Sequence, residues 1–307
     1  MEGSTKQQSI LTRQVNSLER NPIGFNIIAY GIVGFMALMG VLPFWMLVAG
    51  SLTDNATIVR EGFSLWPSTW SLAAYRVLFA APQRLLRAYG VTIGITVVGT
   101  FLVVVFMAMT SYALSRQEFK YRNYFAFFFY FPALFSGGIV PFYLLMLNLG
   151  MRNSYWAMIL PSLGSFFFII ILRSYFVSLP AEIGESGKMD GAGEMTICFK
   201  LYMPMAIPAL ATVGLFAALG FWGEWFNAQL FIANQDMIPL QLWLRRVLLT
   251  EQAAHDAMHG AGIGMRDVPG EALRLAMVCL ATGPIIFAFP FIQKYFMRGL
   301  TIGAVKG

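Results

Sequence analysis

Charge is what this chain has least of. Only 12% of its 307 residues are Asp, Glu, Lys or Arg, and 58% are hydrophobic, whereas a soluble domain carries about 25% charged residues. So little polar side chain cannot cover a water-soluble surface. Cysteine and histidine are scarcer still, two of each. Cys198 falls in a polar connector and Cys279 in an apolar stretch, so no disulfide framework is expected and both read as small hydrophobes. His255 and His259, in H-D-A-M-H, share the one-face spacing of the zinc motif H-E-x-x-H. Asp256 is a carbon shorter than the glutamate that motif uses as base, and no third histidine exists, so the pair reads as part of a solvated helix. No G-x4-G-K-[ST] pattern occurs. The backbone cradle and lysine that hold nucleotide phosphates are therefore missing. The net charge of +6 comes from scattered basic residues, which does not fit a nucleic-acid-binding face.

What fills the chain instead is long uncharged stretches. Residues 21–53, 88–115, 123–151, 153–172, 201–223 and 275–293 contain no Asp, Glu, Lys or Arg. A membrane-crossing helix needs roughly 20 mostly apolar residues, so six spans are expected, at about 26–49, 89–114, 124–147, 155–176, 205–227 and 275–295. The fold class is all-α and polytopic. Residues 62–75 are too short for a span and carry Pro67, so they read as an interfacial or loop segment. Residues 1–20 are polar and the first apolar stretch is too long for a signal peptide, so an uncleaved anchor is expected. Arg116, Lys120 and Arg122 crowd the 116–122 loop. By the positive-inside rule this places the loop, and with it both termini, in the cytoplasm. The segments 50–88 and 228–274 then lie outside.

Between the fourth and fifth stretches runs LPAEIGESGKMDGAGEMTICFKLYMP, residues 179–204. Pro180 suits the first turn of a short helix, and Glu182 and Glu185 favour its positive end. Gly187, Gly191 and Gly193 allow a sharp turn into a second short helix that leads to Pro204. Such an element can offer Glu185 to an arginine on a soluble partner.

The spacing of this segment is similar to the EAA loop, E-A-A-x3-G-x9-I-x-L-P, of ABC-importer membrane subunits. Glu185, Gly191 and Pro204 match, Ser186 and Gly187 stand for the two alanines, and Leu201 and Met203 stand for Ile and Leu. The C-terminal run Gln293–Gly307 and the run Leu134–Pro161, with the region Trp222–Asn227, extend the likeness over essentially the whole chain. The sequence resembles the maltose-permease (MalG) type of sugar permease, and within it an LplC/YtcP-type subgroup associated with acidic oligosaccharides. The resemblance implies a type I ABC-importer permease fold in a bacterial inner membrane. Residues 1–25 would be a cytoplasmic segment, 26–295 the transmembrane domain and 296–307 a cytoplasmic tail. It implies a second homologous permease, a pair of ATPase subunits holding ATP and Mg, and an extracytoplasmic solute-binding protein as partners. The chain itself would be a transporter subunit, lipid-embedded, without cofactor or catalytic residue. Its coupling residues would be Glu185, Ser186, Gly187, Asp190, Gly191, Leu201 and Pro204.

Two rival classes find less in the sequence. A membrane-embedded enzyme needs a nucleophile–base pair or metal cluster, and an ion-coupled transporter needs charge at mid-membrane. The one charged group near a span is Glu224, in FWGEWFNAQ. Trp222, Glu224, Trp225 and Asn227 have two readings: a sugar pathway of stacking rings and polar groups, or an interfacial aromatic belt with Glu224 in water.

Overall fold

The computed structural model describes residues 23–260 and 270–304, of which 23, 251, 254–260 and 288–304 are described by backbone alone. Most of the expected N-terminal segment, residues 261–269 of the outer segment and the last three residues of the tail lie outside the described residues, as do the side chains of His255 and His259. The described chain is helical throughout; one isolated bridge, between Thr53 and Trp70, is its only β pairing.

The helices are α1 (Ile23–Ser51), α2 (Asn55–Glu61), α3 (Ala73–Leu78), α4 (Pro82–Ser115), α5 (Arg122–Leu134), α6 (Ile139–Asn148), α7 (Phe166–Ser178), α8 (Glu182–Met189), α9 (Glu194–Met205), α10 (Ile207–Trp222), α11 (Phe226–Phe231), α12 (Leu240–Gly260) and α13 (Gly270–Ala304). Among the described residues, α1, α4 and α13 are long and apolar enough to cross a membrane unbroken. The count reaches five when two bent pairs are each taken as one span. The helical turns Trp156–Gly164 meet α7 at 48°, and α9 meets α10 at 84°.

The expected span 124–147 is not one helix but two, α5 and α6, parted at residues 135–138. Gly138 sits at φ +88° in this break, a conformation that favours glycine. Pro141 falls in the first turn of α6, where its missing N–H leaves no intrahelical bond unmade. In the outer segment the helix expected around His255 and His259 is longer than that stretch. Residues 240–260 form the continuous helix α12.

The core is built on α4, which packs against α7 and α10. Val103, Met107 and Ala108 of α4, Leu172 of α7 and Val213 of α10 are fully buried. At Gly99 the approach of α10 is close: a Cβ there would lie 2.7 Å from the Phe221 ring. Glycine allows backbones to meet at such a contact. Gly90 and Gly94 differ, since a Cβ on either would meet nothing within 4 Å.

The segments expected on the same side of a membrane pack together. At one end, Ile58, Leu78 and Leu85 share a cluster with Leu240, Leu244 and Leu273. Two helix starts there take caps from distant residues, which satisfies amides that a helix leaves unpaired. Thr92 Oγ1 accepts from Leu240 N at 2.8 Å, and Asn55 Oδ1 accepts from Glu271 N at 2.9 Å. At the other end, loop 116–122 meets α8 and α9. By contrast, α1 is apolar and exposed on most of its length; Ile28, Val33, Met36 and Leu38 are all more than half exposed, as expected of a helix meeting lipid or another membrane chain.

Candidate functional site

The 179–204 segment folds as two helices set against each other. α8 starts after Pro180, with Glu182 and Glu185 in its first turn. It ends in a Schellman motif: Ala192 N donates to Gly187 O at 2.9 Å and Gly191 N donates to Lys188 O at 3.0 Å. That closure needs a left-handed residue past the cap, and Gly191 provides it at φ +76°. Gly191 alone carries this turn. Gly193 has ordinary φ (−71°) and Gly187 lies inside α8.

Gly184 and Gly187 are the buried residues of α8, and each is glycine because something else occupies the space. A Cβ on Gly187 would lie 3.0 Å from Leu201 and 3.1 Å from Ile197, and a Cβ on Gly184 would lie 2.6 Å from Arg116 Nη1. The opposite face projects outward. Glu185, Ser186 and Asp190 are exposed, and Met189 is 88% exposed at the tip. Among the described residues the Glu185 carboxylate makes no ion pair. It lines a cavity of about 220 Å³ together with Arg116, Glu118, Phe176, Leu179 and Tyr202. α9 contains a π-helical stretch, Ile197–Tyr202, before its last turn with Pro204.

Four charges at this end, Arg116, Glu118, Lys188 and Glu194, form a network. Lys188 Nζ lies 3.0 Å from Glu118 and 3.1 Å from Glu194, and Tyr112 donates to Glu194 Oε2 at 2.6 Å. The Tyr112 hydroxyl and then the Lys188 ammonium hold the Glu194 carboxyl below the usual carboxylate range. The Glu118 backbone N–H and Lys188 do the same for Glu118. Cys198 is buried against this cluster, and burial, with a smaller contribution from Glu194, pushes its thiol up to about 11. A thiol reacts as thiolate, so Cys198 is expected to resist maleimide at pH 8 until the protein is denatured. Labelling of a Cys279→Ser variant before and after denaturation checks this, and fast native labelling would contradict it.

The residues read as a sugar pathway have local partners. Trp222 Nε1 donates to Ala281 O at 2.9 Å, and Tyr89 donates to the neighbouring Leu280 O at 2.8 Å. Pro284, four residues after Leu280, has no N–H to return to that carbonyl. Tyr89 therefore makes the bond that the proline removes, and Trp222 holds the next carbonyl. Glu224 caps α11, accepting from Asn227 N at 2.8 Å and Asn227 Nδ2 at 3.0 Å. The Arg245 guanidinium lies 3.9 Å from the Trp225 ring centre. In this corner Trp222, Glu224 and the Asn227 amide nitrogen already have partners.

A larger cleft lies elsewhere on the α4 face, about 560 Å³, and the reading from sequence missed it. Gly90 and Gly94 form its floor, Tyr155 and Trp156 one wall, and the paired Arg87 and Asp236 line it with them. The paired glycines were visible in sequence, but the approach of residues 155–156 to them is tertiary. Among the described residues no group of three His, Cys, Asp or Glu gathers as a metal site.

An apolar helix bundle carrying a two-helix polar projection at one end defines a membrane-spanning transport subunit. No protein-family model matches the chain. It is 38% identical over 282 residues to protein LplC of Bacillus subtilis (strain 168), covering 92% of this chain and 94% of that protein. It is 35% identical over 283 residues to the polygalacturonan/rhamnogalacturonan transport system permease protein YtcP of the same organism, covering 92% and 98%. Among solved structures, a bacterial ABC transporter involved in the import of the acidic polysaccharide alginate superposes with a TM-score of 0.73 at 30% identity, over 89% of this chain and 96% of that one. The chain belongs to the family of ABC sugar-transporter permeases that includes LplC and YtcP. It is therefore an integral membrane transporter subunit, works with an ATPase and a solute-binding protein, and is not itself an enzyme.

Proposed function

We propose that this permease passes acidic, uronate-containing oligosaccharides and that α8, its Schellman turn and α9 are the element that docks on the ATPase. The observation that carries the docking assignment is the division of α8 into two faces. Gly184 and Gly187 bury against Arg116, Ile197 and Leu201, while Glu185, Ser186, Met189 and Asp190 point outward. Glu185 meets a basic residue of the ATPase, Gly191 shapes the turn, and Leu201 and Pro204 carry the movement into α10. ATP and Mg are held by the ATPase pair. A second homologous permease completes the membrane unit, in the bacterial inner membrane, with 1–25 and 296–307 in the cytoplasm. Reporters fused after Lys120 and Lys188 are expected to be cytoplasmic, and those at Arg76 and Arg152 extracytoplasmic. A cytoplasmic signal at Arg152 would overturn this orientation.

The substrate class is supported by the polygalacturonan/rhamnogalacturonan system named for YtcP and the alginate importer. The sugar-facing surface we assign is the cleft of Arg87, Tyr155, Trp156 and Asp236, since apolar and aromatic walls stack on sugar rings while a few polar groups orient them. Trp222, Glu224, Trp225 and Asn227 form a second, pre-bonded contact in the pathway. Proteoliposomes holding the complete importer test both points. Labelled oligogalacturonate is expected to be taken up with ATP, neutral arabino-oligosaccharide not to compete, and Trp156→Ala to lower uptake several-fold with the complex intact. Equal competition by the neutral sugar would overturn the acidic assignment, and unchanged uptake in Trp156→Ala would remove the cleft from the pathway.

A further inference from the structure

We infer that Arg116 is a positioning residue that locks the docking helices to α4, so that ATPase movement reaches the membrane through that helix; the inference rests on the docking role of α8 and α9. Arg116 follows the last residue of α4, and its side chain is only 13% exposed. Its guanidinium lies where a Gly184 side chain would be, within 2.6 Å of the Cβ position. Nη1 donates to the Tyr202 hydroxyl at 2.8 Å and Nη2 donates to Glu118 at 3.3 Å. The guanidinium carbon stands 5.5 Å from the Tyr202 ring centre and 5.8 Å from that of Tyr112. One side chain thus touches both helices of the docking element and the end of α4.

The contacts around it close into a ring. Tyr112 of α4 donates to Glu194 of α9, Lys188 of α8 bridges Glu194 and Glu118, and Glu118 returns to Arg116. Tyr112 and Tyr202 also meet edge to face at 5.1 Å. The exposed ion pairs add little by themselves. The central fork is different, because arginine, pinned between two rings with a planar five-donor head, fixes direction as well as distance.

Beyond the clamp, α4 is one helix of 34 residues, about 51 Å at 1.5 Å per residue. Its far end carries Arg87, Gly90 and Gly94 of the outer cleft. A rotation of α8 and α9 held rigidly to Arg116 therefore becomes a rotation of the cleft wall. A docking loop tied only to α10 would have to act across the 84° bend, without a straight element to carry it. Physical continuity between two sites earns the name of coupling only when breaking it changes the response.

The test uses the reconstituted importer and three readouts: ATPase-subunit binding, ATPase turnover, and sugar moved per ATP hydrolysed. Arg116→Met is expected to keep ATPase binding within about twofold and to lower sugar moved per ATP by roughly fivefold or more, the lower end of ordinary coupling effects. Tyr202→Phe keeps the ring and removes only the hydroxyl, so it folds as the parent does and is expected to show a smaller loss in the same ratio. Arg116→Lys keeps charge without the fork and is expected to resemble Arg116→Met more than the parent. Normal sugar per ATP in Tyr202→Phe and Arg116→Lys would overturn the clamp. Should Glu185→Ala and Gly191→Val both keep full stimulated turnover, the docking reading itself fails, a result distinguishable from normal coupling in the Arg116 series.

Discussion

Gly99→Val is expected to remove most of the assembled permease, whereas Gly94→Ala leaves it in place. Both glycines lie on α4, five residues apart, and the sequence gives no reason to separate them. Their surroundings do. A Cβ at 99 would sit 2.7 Å from two atoms of the Phe221 ring, and Phe221 is itself only 3% exposed. The ring cannot swing aside without disturbing the α4–α10 contact, and overpacking of this kind costs about 1–3 kcal/mol. A valine adds two further carbons to that conflict. A Cβ at 94 points into the open cleft and meets nothing within 4 Å. Size-exclusion yield and thermal stability of the detergent-purified complex measure the difference. Equal stability of the two variants would mean that the α4–α10 packing is not as described.

Glu185→Ala and Gly191→Val are expected to abolish substrate-stimulated ATPase turnover while both proteins insert normally. Glu185 is exposed and without an ion pair among the described residues, so its removal leaves the fold untouched. A charge-assisted bond lost at a protein contact weakens docking by roughly tenfold or more. Gly191 acts through shape. Its φ of +76° closes the Schellman motif, and an L-residue in this region costs about 1–2 kcal/mol, with a β-branched side chain less tolerated still. The variant must reopen the turn and redirect α9. Turnover with sugar and binding protein, set against ATPase-subunit pull-down, checks both. Full stimulation in either variant would count against that residue's part in coupling.

Much of this was legible in the chain. The uncharged stretches located α1, α4 and α13, because a membrane helix declares itself by length and composition alone. The two-helix turn of 179–204 was legible around Gly191, since that glycine is dictated by local backbone geometry. Stretch 124–147 read as one span and is two helices, because counting charges does not register backbone breaks. Pro132, Gly137–Gly138 and Pro141 were in plain view, yet which would interrupt the helix depended on packing. Of helix α12 only the stretch around His255 and His259 read as helical, its polar face hiding the rest. Arg116 was legible only as a topological charge, for its partner Tyr202 stands 86 residues away. Trp222 read equally as part of a sugar pathway or of an interfacial belt; its place beside Ala281 O, near the bond lost at Pro284, is likewise a tertiary fact.

The proposed meeting point of the ATPase with this chain is the 179–204 loop. Met189, 88% exposed at the tip of α8, offers the most direct measurement. With Cys198 and Cys279 replaced by alanine, Met189→Cys in the assembled importer is treated with a short thiol-to-lysine cross-linker. A covalent product with the ATPase subunit is expected, and its yield changes when ATP and Mg are added. A complex that hydrolyses ATP at full stimulated rate yet gives no such product, with or without ATP, would contradict it.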